Sequence, residues 1–342
     1  MKVGVLGVRG FPARYGAFEE LASNLVHHCL DVDWVIGCER SFHEFGVSNQ
    51  NIHRVFSIRL NNGLGVIFYN INIFIKMYML GVRRFLACGE GAAFLFPIMR
   101  ALGCRVACNT DGVEWRRRKW GRVACRYFKV SELLSARYAN RLIFDAVVLK
   151  RYYGIHLGVT GDVLRYGCDI SVSDSVKTGW ENCKYILVVM RLEPENNIKE
   201  IVEGFLLSST DCTLVLIGPS TKYFEVNVLP IVNNETSIEW LGPIFDRRFL
   251  AQMRDGCQVY IHGHSVGGTN PTLVEAISGG CPVVAFDTRF NREVLGGSAR
   301  YFKSTSTLAD SLTLEPIFPP VLGSEYGWEY ICKRYAYLLK NI

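Results

Sequence analysis

Apolar positions along the chain fall into two successive rounds of short runs and longer amphipathic stretches. In the first round, residues 3–7 (VGVLG), 34–38 (WVIGC), 85–88 (FLAC) and 106–109 (VACN) are compact apolar runs, and residues 147–149 (VVL) are a further strand candidate. Between the first two, Phe18, Leu21, Leu25 and Cys29 recur at helical spacing over residues 18–29. The rhythm restarts at residues 185–190 (YILVVM). A helix over 198–207, a strand over 212–218, short strands at 238–241 and 259–261, a helix over 273–278 and a final strand at 282–286 (PVVAF) follow. Continuous apolar runs alternating with helical stretches predict parallel sheets covered on both faces by crossover helices.

This pattern predicts an α/β chain of two doubly wound, Rossmann-like domains facing across a cleft. The expected boundaries are 1–168 and 169–325, with a closing helix in 326–342 that packs back toward the first domain. Residues 166–184 are polar and aperiodic and read as the linker. At 342 residues the chain is long for one core and suits two. Residues 1–10 read as a strand and a glycine loop rather than a signal peptide. Residues 65–80 are the most apolar segment, but they are short for a membrane span and carry Asn70, Asn72 and Lys76. They read as a largely buried or surface-docked helix.

The twelve cysteines are scattered singly, with no C-x-x-C and no histidine at zinc-ligand spacing. That usage points to a reducing cytoplasm and to no metal. The net charge of +6 is concentrated in residues 114–129, EWRRRKWGRVACRYFK. Trp115, Arg116, Arg117, Arg118, Lys119 and Trp120 form its densest part. The segment reads either as a solvated helix face or as a surface meeting anionic lipid or a pyrophosphate-linked acceptor. No nucleic-acid motif accompanies it.

Ligands of open parallel sheets sit beyond the carboxyl ends of the strands, so the loops there carry the chemistry. HGHSVGGTNPTLVEA, residues 262–276, joins a strand to a helix. Gly267 and Gly268 allow close backbone approach. Pro271 fits a first helical turn, and the helix offers its amides and dipole to a diphosphate. His264, Thr269 and Asn270 line this turn, and Glu275 is placed to accept from a ribose diol; the alternative is a capped strand–helix turn. In RLEPENN, residues 191–197, Arg191 leaves a strand facing the cleft, as a diphosphate ligand or as a salt-bridge partner of Glu193 or Glu195. In GVRGFPARYGAFEE, residues 7–20, Gly10, Arg14 and Gly16 belong to a loop that closes over a donor phosphate. Its spacing fits neither a dinucleotide fingerprint nor a Walker loop. Asp111 in NTDGVEW is a candidate base or acceptor-steering group, or simply part of an Asp-Gly turn.

Taken together, GVRGFPARYGAFE, NTDGVEWRRRKW, RLEPENN and HGHSVGGTNPTLVEA resemble the group 1 (family 4) glycosyltransferases of GT-B fold. More narrowly, they are similar to the rhamnosyltransferase-like subgroup of bacterial capsule and O-antigen biosynthesis. YGCD at 166–169 resembles that family's linker entry. The resemblance implies a retaining hexosyltransferase that needs no metal or other cofactor. The second domain would hold a nucleotide diphosphate sugar, with dTDP-rhamnose as the first candidate, and the first domain a lipid-linked or saccharide acceptor. Glu275 matches the second Glu of the family's E-x7-E motif and Arg191 its diphosphate arginine. The first Glu falls at Gly267, and the usual lysine falls at Asn196. The family's catalytic-region histidine falls at or near Asp111. Peripheral contact with the inner, anionic face of the cytoplasmic membrane is expected, and no nucleic-acid partner. A GT-B epimerase, a phosphorylase and a nucleotide-sugar-binding protein without transferase activity are the alternatives.

Overall fold

A computed structural model describes residues 1–13, 16–42, 51–59, 63–110, 112–117, 120–168 and 177–342. The chain divides into two compact units, Met1–Gly167 with Trp328–Ile342, and Cys168–Gly327. In the first unit the order is β1 (Lys2–Leu6), α1 (Ala17–His28), β2 (Asp33–Glu39), β3 (Ile52–Ser57), α2 (Gly63–Met79), β4 (Arg84–Cys88), α3 (Phe96–Ala101), β5 (Arg105–Asn109), α4 (Arg122–Tyr138), β6 (Arg141–Phe144), α5 (Val147–Leu157) and β7 (Asp162–Val163). In the second it is β8 (Tyr185–Val189), α6 (Ile198–Leu207), β9 (Thr213–Ile217), α7 (Lys222–Asn227), α8 (Leu229–Asn233), β10 (Ile238–Trp240), α9 (Arg247–Gly256), β11 (Val259–His262), α10 (Pro271–Ser278), β12 (Val283–Phe286), α11 (Arg289–Leu295), β13 (Arg300–Phe302) and α12 (Thr305–Thr313). The helix α13 (Trp328–Lys340) belongs to the first unit.

Both sheets are parallel throughout. Their orders, β3-β2-β1-β4-β5-β6-β7 and β10-β9-β8-β11-β12-β13, share one winding pattern. Each sheet starts in its middle, winds to one edge, then crosses back and winds to the other. The central strand β8 is buried at every residue, which is why its sequence YILVV is apolar without alternation. Helix termini are set locally. Asp246 caps α9 by accepting from the amides of Arg248 and Phe249, and Ser304 with Thr307 forms a capping box at α12.

α13 completes the first core. Trp328, Ile331, Tyr335 and Leu339 join one buried cluster with Leu25 of α1, Trp34 of β2 and Leu86 of β4. All twelve cysteines are free thiols, nine of them buried. Among the described residues no helix is long and apolar enough to cross a membrane.

Two sequence expectations need correction. Val147–Leu149 is the first turn of α5, and the neighbouring strand is β6. The run at 282–286 is not the final strand, because β13 adds one more at the sheet edge. Of the predicted linker at 166–184, residues 169–176 lie outside the described residues.

Candidate functional site

In the second sheet the winding reverses between β8 and β11, which are neighbours. Such a reversal leaves a crevice at the carboxyl ends of the two strands, where doubly wound sheets place their ligands. The two loops that leave those strands are tied together. Asn197 donates from Nδ2 to the Gly263 carbonyl at 2.7 Å. Ser265 reaches the Glu195 carbonyl with its amide at 3.1 Å and its hydroxyl at 2.6 Å. From α11, Asn291 donates to the carbonyls of His264 at 3.1 Å and Phe286 at 2.8 Å. Gly263 lies where the loops touch. A Cβ there would stand 2.1 Å from the Asn196 carbonyl oxygen, so a side chain would force the loops apart.

Within this frame Arg191 is exposed, and among the described residues no carboxylate holds its guanidinium. The salt bridge to Glu193 or Glu195 is not formed; Glu195 is buried. Asn196 is buried too, and its Nδ2 donates to the Arg191 carbonyl at 2.7 Å. Its side chain therefore shapes the loop that presents Arg191.

Asn270 caps α10. Its Oδ1 accepts from the Thr272 amide at 3.0 Å and the Thr272 hydroxyl at 2.9 Å, and its carbonyl accepts from the amides of Leu273 and Val274. The cap consumes the helical amides that the sequence reading left open for a diphosphate. The backbone amides of Val266, Gly267 and Gly268 are without a partner among the described residues. They directly precede the positive end of the helix. Thr269 is buried beside them. Gly267 has φ of 124°, a conformation that strains any residue with a Cβ. The missing carboxylate at this position thus coincides with a backbone shape suited to glycine.

Glu275 lies one turn into α10 and is bonded to Arg254 of α9, a partner the sequence reading missed. The Arg254 side chain is 5% exposed and that of Glu275 31%. The pair therefore orients the carboxylate while leaving part of it open to solvent. The Arg254 carbonyl accepts from the thiols of Cys257 at 3.2 Å and Cys281 at 2.9 Å, which fixes the end of α9 beneath the pair.

His262, the last residue of β11, opens the loop sequence HGHSVGGTNPTLVEA. It is fully buried and stacked on His264 with 4.6 Å between ring centroids. Neither of its ring nitrogens has a hydrogen-bond partner among the described residues. Burial drives its pKa down from 6.5 to about 3. The folded protein therefore keeps it neutral while the unfolded chain takes up a proton below pH 6.5. The sign is destabilisation on acidification, complete near pH 3 and absent above pH 6.5, on the order of 5 kcal/mol at full extent. In urea titrations His262→Phe is expected to flatten the loss of midpoint between pH 6.5 and 4; an unchanged slope would assign that loss to other groups.

In the first unit, the described residues 7–13 stand against acidic side chains. The Arg9 amide donates to Glu19 Oε1 at 2.8 Å. Glu39 Oε1 accepts from Arg9 Nε at 2.9 Å and Arg59 Nη1 at 2.7 Å. Glu19 is buried, which raises its pKa. Gly10 lies against the Phe42 ring and Gly16 precedes α1. Arg14 and Asp111 lie outside the described residues, as do Arg118 and Lys119.

The basic segment is folded more tightly than its sequence suggests. Trp115 donates from Nε1 to Glu132 at 3.0 Å and Trp120 to Glu114 at 2.9 Å. Both rings are half-buried. Arg117 pairs with Glu114 at 2.5 Å, and Arg116 stacks near Trp115 and Tyr152. The aromatic residues are anchors of the unit, and Arg116 is the exposed one of the four described cations and indoles in 115–120. Among the described residues no group of three or more His, Cys, Asp or Glu side chains could hold a metal ion.

Residues 173–308 match the family described as glycosyl transferases group 1. Residues 1–169 match a family described as a domain of unknown function, DUF1972. No curated protein sequence matches the chain. Among solved structures, the sucrose-phosphate synthase of Thermosynechococcus elongatus is similar with a TM-score of 0.81 at 13% identity, covering 99% of this chain and 98% of that one. Anabaena HepE in complex with UDP and glucose follows with a TM-score of 0.74 at 15% identity, covering 100% of both chains. The α,α-trehalose 6-phosphate synthase of Burkholderia multivorans gives 0.72 at 12% identity, covering 100% of this chain and 98% of that one. Residues 173–308 thus match the group 1 glycosyltransferases, the two parallel sheets are of the Rossmann-like type found in the GT-B fold, and both findings support a glycosyltransferase.

Proposed function

We propose that the crevice at β8 and β11 holds a nucleoside diphosphate sugar and that the enzyme transfers the sugar, with retention and without a metal, to a hydroxyl of a lipid-linked or saccharide acceptor. The carrying observation is the free guanidinium of Arg191 together with the unpaired amides of 266–268 at one sheet reversal. A diphosphate brings negative charge, which a forked cation and a helix N-terminus both favour. Glu275, oriented by Arg254, is the acceptor for a ribose diol. As the glycosidic bond breaks, charge grows on the leaving diphosphate, and these donors stabilise it there. The leaving phosphate takes the proton of the attacking hydroxyl on the same face of the sugar.

The first donor to test is dTDP-rhamnose, in line with a role in bacterial surface-polysaccharide assembly. UDP sugars come next, since Anabaena HepE, which is similar in fold, has been solved in complex with UDP and glucose and with UDP-glucose. Saturation-transfer NMR with UDP, dTDP and their sugars should show binding; silence from every nucleotide would overturn the reading. Arg191→Ala is expected to weaken nucleoside diphosphate binding by about 1–3 kcal/mol, the scale of a hydrogen bond to a charged group. An affinity equal to that of the parent would remove Arg191 from the diphosphate site.

A further inference from the structure

α2 has one face in the core and one with no cover among the described residues. Tyr69, Ile73, Phe74 and Met77 are buried. Leu64, Phe68, Ile75 and Met79 are 50–80% exposed. Their spacings of four, seven and four residues place all of them on one strip of a helix with 3.6 residues per turn. Soluble surfaces carry single exposed apolar residues freely, but a continuous strip of large ones marks a contact surface.

Beside the strip lies a groove of about 720 Å³, lined by Phe56, Ser57, Ile58, Phe68 and Asn72 together with the cations Arg40 and Lys76. Lys76 Nζ donates to the Phe56 carbonyl at 2.7 Å, which holds the ammonium at the groove wall. Just beyond the same end of α2, Arg83 donates to the Tyr78 carbonyl at 2.9 Å and Lys2 to the Leu80 carbonyl at 3.2 Å. Arg40, Lys76 and Arg83 meet no carboxylate among the described residues. The sequence is as one-sided as the surface. From residue 45 to residue 89 it contains Arg54, Arg59, Lys76, Arg83 and Arg84 and no Asp or Glu.

We infer that this face of the first unit lies on a membrane surface containing anionic phospholipid, with the strip of α2 at the acyl boundary and headgroup phosphates at Arg40 and Lys76. Charge decides the occupant. A second copy of the chain would set cation against cation, whereas an anionic leaflet attracts each basic residue and accepts the apolar strip. The face also differs from the one the sequence suggested, because Trp115 and Trp120 spend their indole N–H groups on buried carboxylates. The inference rests on the lipid-linked acceptor in the reading above, and its test is separate from donor binding.

The test is co-sedimentation of the full chain with vesicles of phosphatidylcholine alone and of phosphatidylcholine mixed with phosphatidylglycerol. Binding is expected to the mixed vesicles only and to fall with added salt. L64E/M79E should reduce partitioning roughly ten-fold or more. R40A/K76A should weaken it on the anionic vesicles by about three-fold or more. V123E/V130E on the exposed side of α4 should leave it unchanged. Circular dichroism and nucleotide titration of each variant report folding and the donor site separately, so lost vesicle binding with intact nucleotide binding supports the assignment. No binding of the parent to anionic vesicles, equal binding by L64E/M79E, or loss in V123E/V130E alone would overturn it. So would a dimer without vesicle affinity that L64E/M79E dissociates.

Discussion

Gly263→Ala is expected to abolish measurable nucleotide binding and to lower stability by about 3 kcal/mol, the upper range for overpacking a tight site. The added methyl would stand 2.1 Å from the Asn196 carbonyl oxygen and 2.7 Å from Ile201 Cδ1. A backbone oxygen cannot swing aside as a side chain end can. The two loops must separate, and the bonds from Asn197 to Gly263 and from Ser265 to Glu195 are strained together. Those bonds set where Arg191 stands relative to the amides of 266–268. Urea unfolding and a nucleotide titration on the same protein measure both effects. Near-parental affinity in a clearly destabilised variant would show that the loops can part without disturbing the donor site.

Glu275→Gln is expected to destabilise the second unit by about 2–3 kcal/mol, because it strands a guanidinium that is 5% exposed and whose Nε already lacks a hydrogen-bond partner among the described residues. Replacing both partners, as Arg254→Met with Glu275→Leu, should restore most of that stability, since a well-packed apolar pair avoids the desolvation of two charges. Nucleotide affinity should stay low in the double variant. The comparison separates the two roles of Glu275. A double variant that binds nucleotide as tightly as the parent would make the carboxylate purely a partner for Arg254.

Much of this architecture was legible because buried parallel strands leave little choice of residue. β8, β9 and β12 are apolar at successive positions, and their loops could be located before any contact was known. The edge strand β3 was not read. Its sequence IHRVFS is buried only at Val55 and Ser57, and His53 and Arg54 interrupt the run. The run at 147–149 misled for the opposite reason. Three apolar residues look like a short strand, but the helix continues to Leu157 and buries only Leu149 and Tyr153. At the site, the loops and Glu275 could be found from chain order. Arg254 could not, since its partner is 21 residues away on another helix. Asn196 stands where the family's usual lysine falls and Asn270 lies in the glycine-rich turn, yet both side chains are occupied with nearby backbone groups. Spacing reveals which residues are near a ligand-binding loop, and only packing reveals which have donors left over.

The return of α13 to the first unit sets an order of events during synthesis. Unit 1 lacks Trp328, Ile331, Tyr335 and Leu339 until the whole of unit 2 has left the ribosome. Through that interval the surfaces of α1 and β4 that α13 packs against stand open. Unit 2 needs nothing that follows Gly327 and can close first. The nascent chain therefore matures from its middle outward, with the N-terminal half waiting as a partly covered intermediate of the kind that chaperones hold.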